Sequence, residues 1–136
     1  INAEKAMVND MELSFYELFR RALENNGLSI SALAKSIKPN YTYMFELTSP
    51  YNRVVVCYKE IDARLIGIRN NITFEEENIY ESEDLIEILR PKSYKFSSIE
   101  DCVKNAQSLP YQEEGYVVFD KFYNRVKICK NNFFPK

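Results

Sequence analysis

At Pro39 the spacing of apolar residues switches from a helical period to a strand period, and that switch confines the chain to an α+β fold. Before it, Met11, Phe15, Leu18, Phe19, Ala22 and Leu23 recur at helical spacing with Glu12, Glu17, Arg20, Arg21 and Glu24 between them. Gly27 supplies the stop expected just past a helix. A shorter helix is expected from Ser31, as N-cap, to Ser36, with Leu33 and Ile37 inward and Pro39 as breaker. Both helices read as packing elements.

After Pro39, Thr42–Leu47 is aromatic and β-rich, Thr48-Ser49-Pro50-Tyr51-Asn52 is a turn cluster, and Arg53–Tyr58 resumes with three valines. Ala63–Arg69 makes a third strand closed by Asn70-Asn71, so a meander is expected. Ser82–Leu89 and Ser97–Ser108 read as helices, each opening on serine and acidic residues and ended by Pro91 or Pro110. Gly115–Phe119 and Arg125–Ile128 form a last hairpin around Lys121-Phe122-Tyr123-Asn124. The expectation is one domain over residues 1–136, with antiparallel sheets and flanking helices and no repeat or linker.

Composition narrows the chemistry. The chain has no histidine, which removes histidine general bases, Ser-His-Asp and Cys-His nucleophiles and histidine zinc ligation together. Cys57, Cys102 and Cys129 are widely spaced and odd in number, so neither a disulfide framework nor a C-x-x-C metal site is supported, and a reducing, cytoplasmic setting is expected. There is no run of about 18 apolar residues and no signal-peptide pattern, so no membrane association is expected. The chain begins with Ile1, which suggests a processed or trimmed chain or a piece of something longer. Net charge is −2, yet it is unevenly placed: Glu75–Glu87 carries seven acids and no base, while Asp120–Lys136 carries five bases against one aspartate. An anionic ligand would find the C-terminal end.

Two apolar, β-branched segments also contain charges, which must be used or moved to water. Glu46 lies between Phe45 and Leu47, on the opposite face and alongside Met44; either a solvated face or a site suits it. Glu114 precedes Gly115 and Tyr116-Val117-Val118, which makes either a turn before a strand or a carboxylate that a ligand or metal can approach closely. Lys127 sits between Val126 and Ile128, where lysine is disfavoured, and should project to the face opposite those two. On a pocket wall its ammonium would be a point-charge partner for phosphate, and Arg53, Arg64 and Arg69 could extend the positive surface.

In this order and spacing, FELTSPYNRVVV at Phe45–Val56, EGYVV at Glu114–Val118 and RVKI at Arg125–Ile128 resemble the third, fourth and fifth motifs of the covalent nucleotidyltransferase superfamily. The resemblance is nearest to the ATP-dependent RNA ligases typified by the tRNA-repair ligase of T-even bacteriophages, and it runs from about Tyr41 to Phe134. It implies a three-step reaction. A motif-one lysine attacks ATP to form lysyl-AMP, AMP passes to an RNA 5′-phosphate, and a 3′-hydroxyl displaces it. It further implies that Glu46 contacts the ribose, Glu114 helps place a catalytic Mg2+, Lys127 contacts the ATP phosphates, and Arg53 joins the nucleotide-binding set. The cofactors implied are ATP and Mg2+, and the partners are RNA ends. Such transfer depends on charge neutralisation and in-line positioning, which suits a chain without histidine.

The chain departs from the family pattern twice. Motif five usually reads K-x-K, whereas Cys129 holds the alternate position after Lys127 and Lys130 follows it on the opposite face. No K-x-D-G occurs, because no aspartate precedes Gly27, Gly67 or Gly115. The strand Leu65–Arg69 also carries no aromatic to stack on adenine. Three readings follow: the C-terminal portion of an adenylyltransferase domain, a non-catalytic nucleotide- or RNA-binding descendant, and a small α+β interaction domain.

Overall fold

The computed structural model describes residues 13–52 and 58–130. The chain divides into two compact units, Ile1–Lys92 and Ser93–Lys136. The expected strand Arg53–Tyr58 falls mostly outside the described residues, together with Arg53, Cys57 and the first turn of the expected N-terminal helix.

In the first unit, α1 (Phe15–Asn25) begins where the Ser14 hydroxyl accepts from the Glu17 amide, satisfying one of the donors a helix start leaves open. It ends in a Schellman arrangement, with Gly27 at φ 76° and the amides of Gly27 and Leu28 donating to Glu24 and Leu23. Leu18, Ala22 and Leu23 are buried as the spacing predicts, but Phe15 is exposed. The second helix, α2 (Ile30–Ser36), starts two residues earlier than expected: Ser29, not Ser31, is the cap, accepting from the Ala32 amide. Leu33 packs on the core, whereas Ile37 is the C-cap and is exposed.

The strands β1 (Tyr41–Thr48) and β2 (Asp62–Asn70) pair antiparallel along their lengths, from Tyr41 opposite Asn70 to Thr48 opposite Asp62. The expected meander is therefore corrected, because β1 takes β2 directly as its neighbour. On the far side, β2 pairs with the short β3 (Glu76–Glu77), giving the order β1-β2-β3. One face of the β1–β2 pair carries Tyr41, Tyr43, Phe45, Leu65 and Ile68 onto Leu23, Leu28, Leu85 and Ile88. Phe19 on α1 meets Phe45 with ring centroids 5.2 Å apart. Asn26 also holds the helix end to the sheet, donating to Asp62 Oδ1 at 3.0 Å.

Ser82–Leu89 is not the helix that its serine and acids suggest. The segment is a run of turns folded around Arg90, whose guanidinium donates to the carbonyls of Ile79, Ser82, Asp84, Leu85 and Ile88 at 2.6–3.3 Å. Carbonyls that a helix would pair with amides four residues on are met by a planar donor fork instead. Ser82 still acts as a local acceptor, taking the Asp84 amide at 3.2 Å, which makes a turn and not a helix start. Leu85, at φ 52°, is held in a conformation unusual for leucine by burial in the core. Lys38 braces this segment from the start of β1, pairing with Asp84 at 2.9 Å and Glu77 at 3.2 Å. Burial works to raise the Asp84 pKa, but hydrogen bonds from Lys38 and the Tyr43 hydroxyl outweigh it and hold the carboxyl below its ordinary value.

The second unit contains α3 (Ile99–Gln107), capped by Ser98 on the Asp101 amide, and the hairpin β4 (Gly115–Phe119) and β5 (Arg125–Cys129). Cys102, Ala106 and Leu109 are buried. Tyr116 meets Tyr94 and Phe96 edge-on, each at a centroid distance of 5.0 Å, and donates its hydroxyl to Asn105 Oδ1 at 2.6 Å. Among the described residues no helix is long and apolar enough to cross a membrane.

Arg90→Ala should destabilise the chain by about 2–3 kcal/mol in urea titration, since it leaves a group of partly buried carbonyls without a charged donor. Arg90→Lys should recover only part of that loss, because an ammonium cannot reproduce the guanidinium's planar fork. Unchanged stability in Arg90→Ala would show that the turns hold themselves.

Candidate functional site

In the first unit Glu46 is exposed on the face of β1 opposite Phe45, as the alternation predicts, and Arg64 stands across from it in register. A bulge follows: Met44 pairs with Gly67 and Phe45 with Leu65, leaving Ile66 without an opposite residue. Gly67 has room for the Met44 terminal methyl, and Arg69 stands opposite Thr42 further along the strand. The outer face of this pair therefore combines Glu46 with Arg64 and Arg69.

The turn after β1 is built by two residues of the FELTSPYNR segment. Ser49, fully buried, accepts from the amides of Tyr51 and Asn52 at 3.1 and 3.2 Å, and Asn52 donates its side-chain amide to the Leu47 carbonyl at 2.9 Å. Tyr51, like Leu47 and Ile61, packs against the buried pair Leu13 and Leu18. Serine and asparagine in a turn cluster signal the turn; the reach of the Asn52 side chain back to the Leu47 carbonyl has no local signal. Arg53, the next residue of the motif, lies outside the described residues.

In the second unit the hairpin register sets Gly115 opposite Cys129 and Val117 opposite Lys127. Strict alternation would put Glu114 on the Tyr116 face, away from Lys127. Gly115, at φ 153°, breaks that alternation, and Glu114 Oε2 accepts from Lys127 Nζ at 2.8 Å. The two side chains are 42% and 56% exposed, so the pair contributes only about 0–1 kcal/mol to stability. A charge pair this exposed is not what holds the unit together, which leaves both charges able to exchange partners.

Gly115 also corrects an expectation. What approaches its missing side chain is not a ligand but the facing strand: a β-carbon there would lie 2.0 Å from the Ile128 carbonyl oxygen. Lys130 is also accounted for. It lies across the strand from Lys127, and its ammonium donates to the Leu109 carbonyl at 3.0 Å while its amide donates to the Glu114 carbonyl at 3.4 Å. Cys129, not Lys130, shares the alternate position on the Lys127 face, where it is exposed.

The hairpin loop is closed by Asp120, which accepts from the amides of Phe122 and Asn124 and from the Asn124 side chain at 2.8–3.0 Å. Those bonds, the Asn124 side chain first, hold its carboxyl below the ordinary aspartate value. Burial pushes the Tyr116 hydroxyl up. Among the described residues no group of three or more His, Cys, Asp or Glu side chains could hold a metal ion. Mg2+ is usually held by one or two carboxylates together with phosphate oxygens and water, so a site for it does not require a group of three.

No family model matches the chain. A protein of Autographa californica nuclear polyhedrosis virus, named "Putative bifunctional polynucleotide kinase/RNA ligase", is 40% identical over 90 residues, which cover 65% of this chain. That likeness supports an RNA ligase relationship. The match spans 12% of the viral protein's length.

Gly115→Ala should abolish the β4–β5 pairing, because the added methyl meets backbone and not a movable side chain. The test is the set of nuclear Overhauser contacts between Val117 and Lys127 and between Tyr116 and Ile128. Their survival in the variant would show that the hairpin tolerates a side chain there.

Proposed function

We propose that this chain is the C-terminal portion of an ATP-dependent RNA ligase domain, both units included, that joins RNA 5′-phosphate and 3′-hydroxyl ends through an AMP intermediate. The observation that carries the reading is the Glu114–Lys127 pair. Two residues that the ligase motifs select independently, 13 positions apart in sequence, meet at 2.8 Å on an exposed face. The 40% identity to a polynucleotide kinase/RNA ligase points the same way.

In this reading the pair is a resting state. An ammonium and a carboxylate in contact neutralise each other, and a polyphosphate separates them by offering the ammonium a more highly charged partner. Lys127 then neutralises phosphate charge as the α-phosphate is attacked, which is the larger part of catalysis in phosphoryl and nucleotidyl transfer. Glu114, released, is the carboxylate that would hold Mg2+, whose chemistry is to screen the phosphate oxygens and favour departure of pyrophosphate. Within the first unit, taken by itself, Glu46 is the residue that the motif resemblance assigns to ribose hydroxyls, with Arg53 joined to it by the same resemblance and Arg64 opposite it in register. The nucleophilic lysine is supplied outside the motifs seen here, since the chain contains no K-x-D-G.

A second reading, a binder of nucleotide or RNA that forms no covalent intermediate, draws on one specific feature. Cys129 stands on the Lys127 face where the family pattern has its second lysine, so one phosphate partner is missing.

The two readings part in a longer protein that carries a motif-one lysine. There, Lys127→Ala and Glu114→Ala should each lower end-joining at least about a hundredfold, with melting temperature unchanged, as the exposed pair's small stability contribution requires. Ligation at the wild-type rate by either variant would reduce the pair to an ordinary surface contact.

A further inference from the structure

The tip of the second unit's hairpin bears two exposed aromatic rings, Phe119 and Phe122, with the half-buried Tyr123 beside them, and none of the three belongs to the apolar clusters found among the described residues. Phe119 and Tyr123 lie parallel, 5° between their planes and 5.6 Å between centroids. The Arg125 guanidinium lies 5.8 Å from the Tyr123 ring centre and the Lys121 ammonium 5.0 Å from that of Phe122. Phe122 is 73% exposed and Phe119 45%. Tyr123 is held at φ 63°, a backbone conformation that tyrosine rarely adopts, by the loop that Asp120 closes.

We propose that this tip is a stacking platform for single-stranded RNA, on which Phe119 and Phe122 take bases while Lys121, Arg125 and Lys127 follow the backbone. The choice of RNA among polyanions rests on the ligase reading; the stacking itself rests on the rings. Exposed aromatics edged by cations are the pairing that binds single strands without sequence preference. Apolar patches at protein interfaces are instead depleted of lysine, and here each aromatic group has a cation beside it. The one acid in the loop, Asp120, keeps its charge and turns its oxygens onto the Phe122 and Asn124 donors of its own loop, and Lys121, Arg125 and Lys127 outnumber it along the hairpin. The platform lies on the same hairpin as Lys127, so an RNA end held here would come from the strand that bears the proposed phosphate partner.

The test uses the 136-residue chain without ATP, so that it is independent of any adenylation step. An oligouridylate carrying a single 2-aminopurine reports stacking by fluorescence quenching and affinity by titration. Wild type should quench the probe. Phe122→Ala, which removes a ring with little packing to lose, should weaken binding about tenfold with an unchanged melting curve. Lys121→Ala should weaken binding and lower the salt dependence by about one unit of slope. Inorganic polyphosphate should compete poorly. Wild-type affinity and quenching in both Phe119→Ala and Phe122→Ala would overturn the proposal, as would polyphosphate competing as well as RNA. So would a chain that ignores RNA but self-associates in sedimentation through a tip that Phe122→Ala disables. Binding as expected alongside failed ligation by the longer protein would sink the ligase reading and leave the platform standing.

Discussion

The candidate site depends on a close approach of backbone to backbone. The second unit's two strands can close at Gly115 only because nothing projects from its Cα toward the Ile128 carbonyl. From that contact follow the register that sets Lys127 opposite Val117, the turn of chain that brings Glu114 onto the Lys127 face, and the assignment of Cys129 and Lys130 to opposite sides. A glycine that reads in sequence as a gap for a ligand is the hinge on which two charged side chains are aimed.

The first unit is organised by a different economy of hydrogen bonds. Its helices and main sheet satisfy their backbone groups locally, through Ser14 and Ser29 caps, the Gly27 stop and the β1–β2 ladder. From Ile79 to Leu89 the chain has no such ladder, and Arg90 collects the carbonyls into one cluster. That cluster presents Leu85 and Ile88 to the core shared with α1 and β2. The unit's apolar packing thus rests partly on one cation, braced by the contact of Lys38 with Asp84.

Elements carried by short-range patterns are legible in the sequence. The helical stripe ending at Gly27, the strand around Phe45, the Asn70-Asn71 turn and the last hairpin follow from periodicity and turn residues, with ends off by a few residues. The segment Ser82–Leu89 is ambiguous locally, because serine followed by acids, and Leu85 with Ile88, fit a helix as well as they fit turns around a guanidinium. Nothing local in sequence says where the carbonyls go. The β1–β2 pairing and its bulge at Ile66 were equally out of reach, since they depend on a neighbour distant in the chain. At the site, Lys127 stood out because lysine is costly in mid-strand and Glu46 because it interrupts an apolar run. Their faces came out as alternation requires. The Glu114–Lys127 contact did not follow from alternation, and the stacked rings of Phe119 and Tyr123 had no periodic signature.

The central claim is that Glu114 and Lys127 form the phosphate and metal end of a nucleotide site, held closed on each other until a polyphosphate separates them. Paramagnetic broadening by Mn2+ tests it most directly, read from the amide resonances of the 136-residue chain with and without ATP. The account predicts that Mn2+ with ATP selectively broadens Glu114, Gly115 and Lys127, and that Mn2+ alone does so far less, because the ammonium holds the carboxylate. Broadening centred on the acidic stretch Glu75–Glu87, with the hairpin resonances untouched, would contradict it.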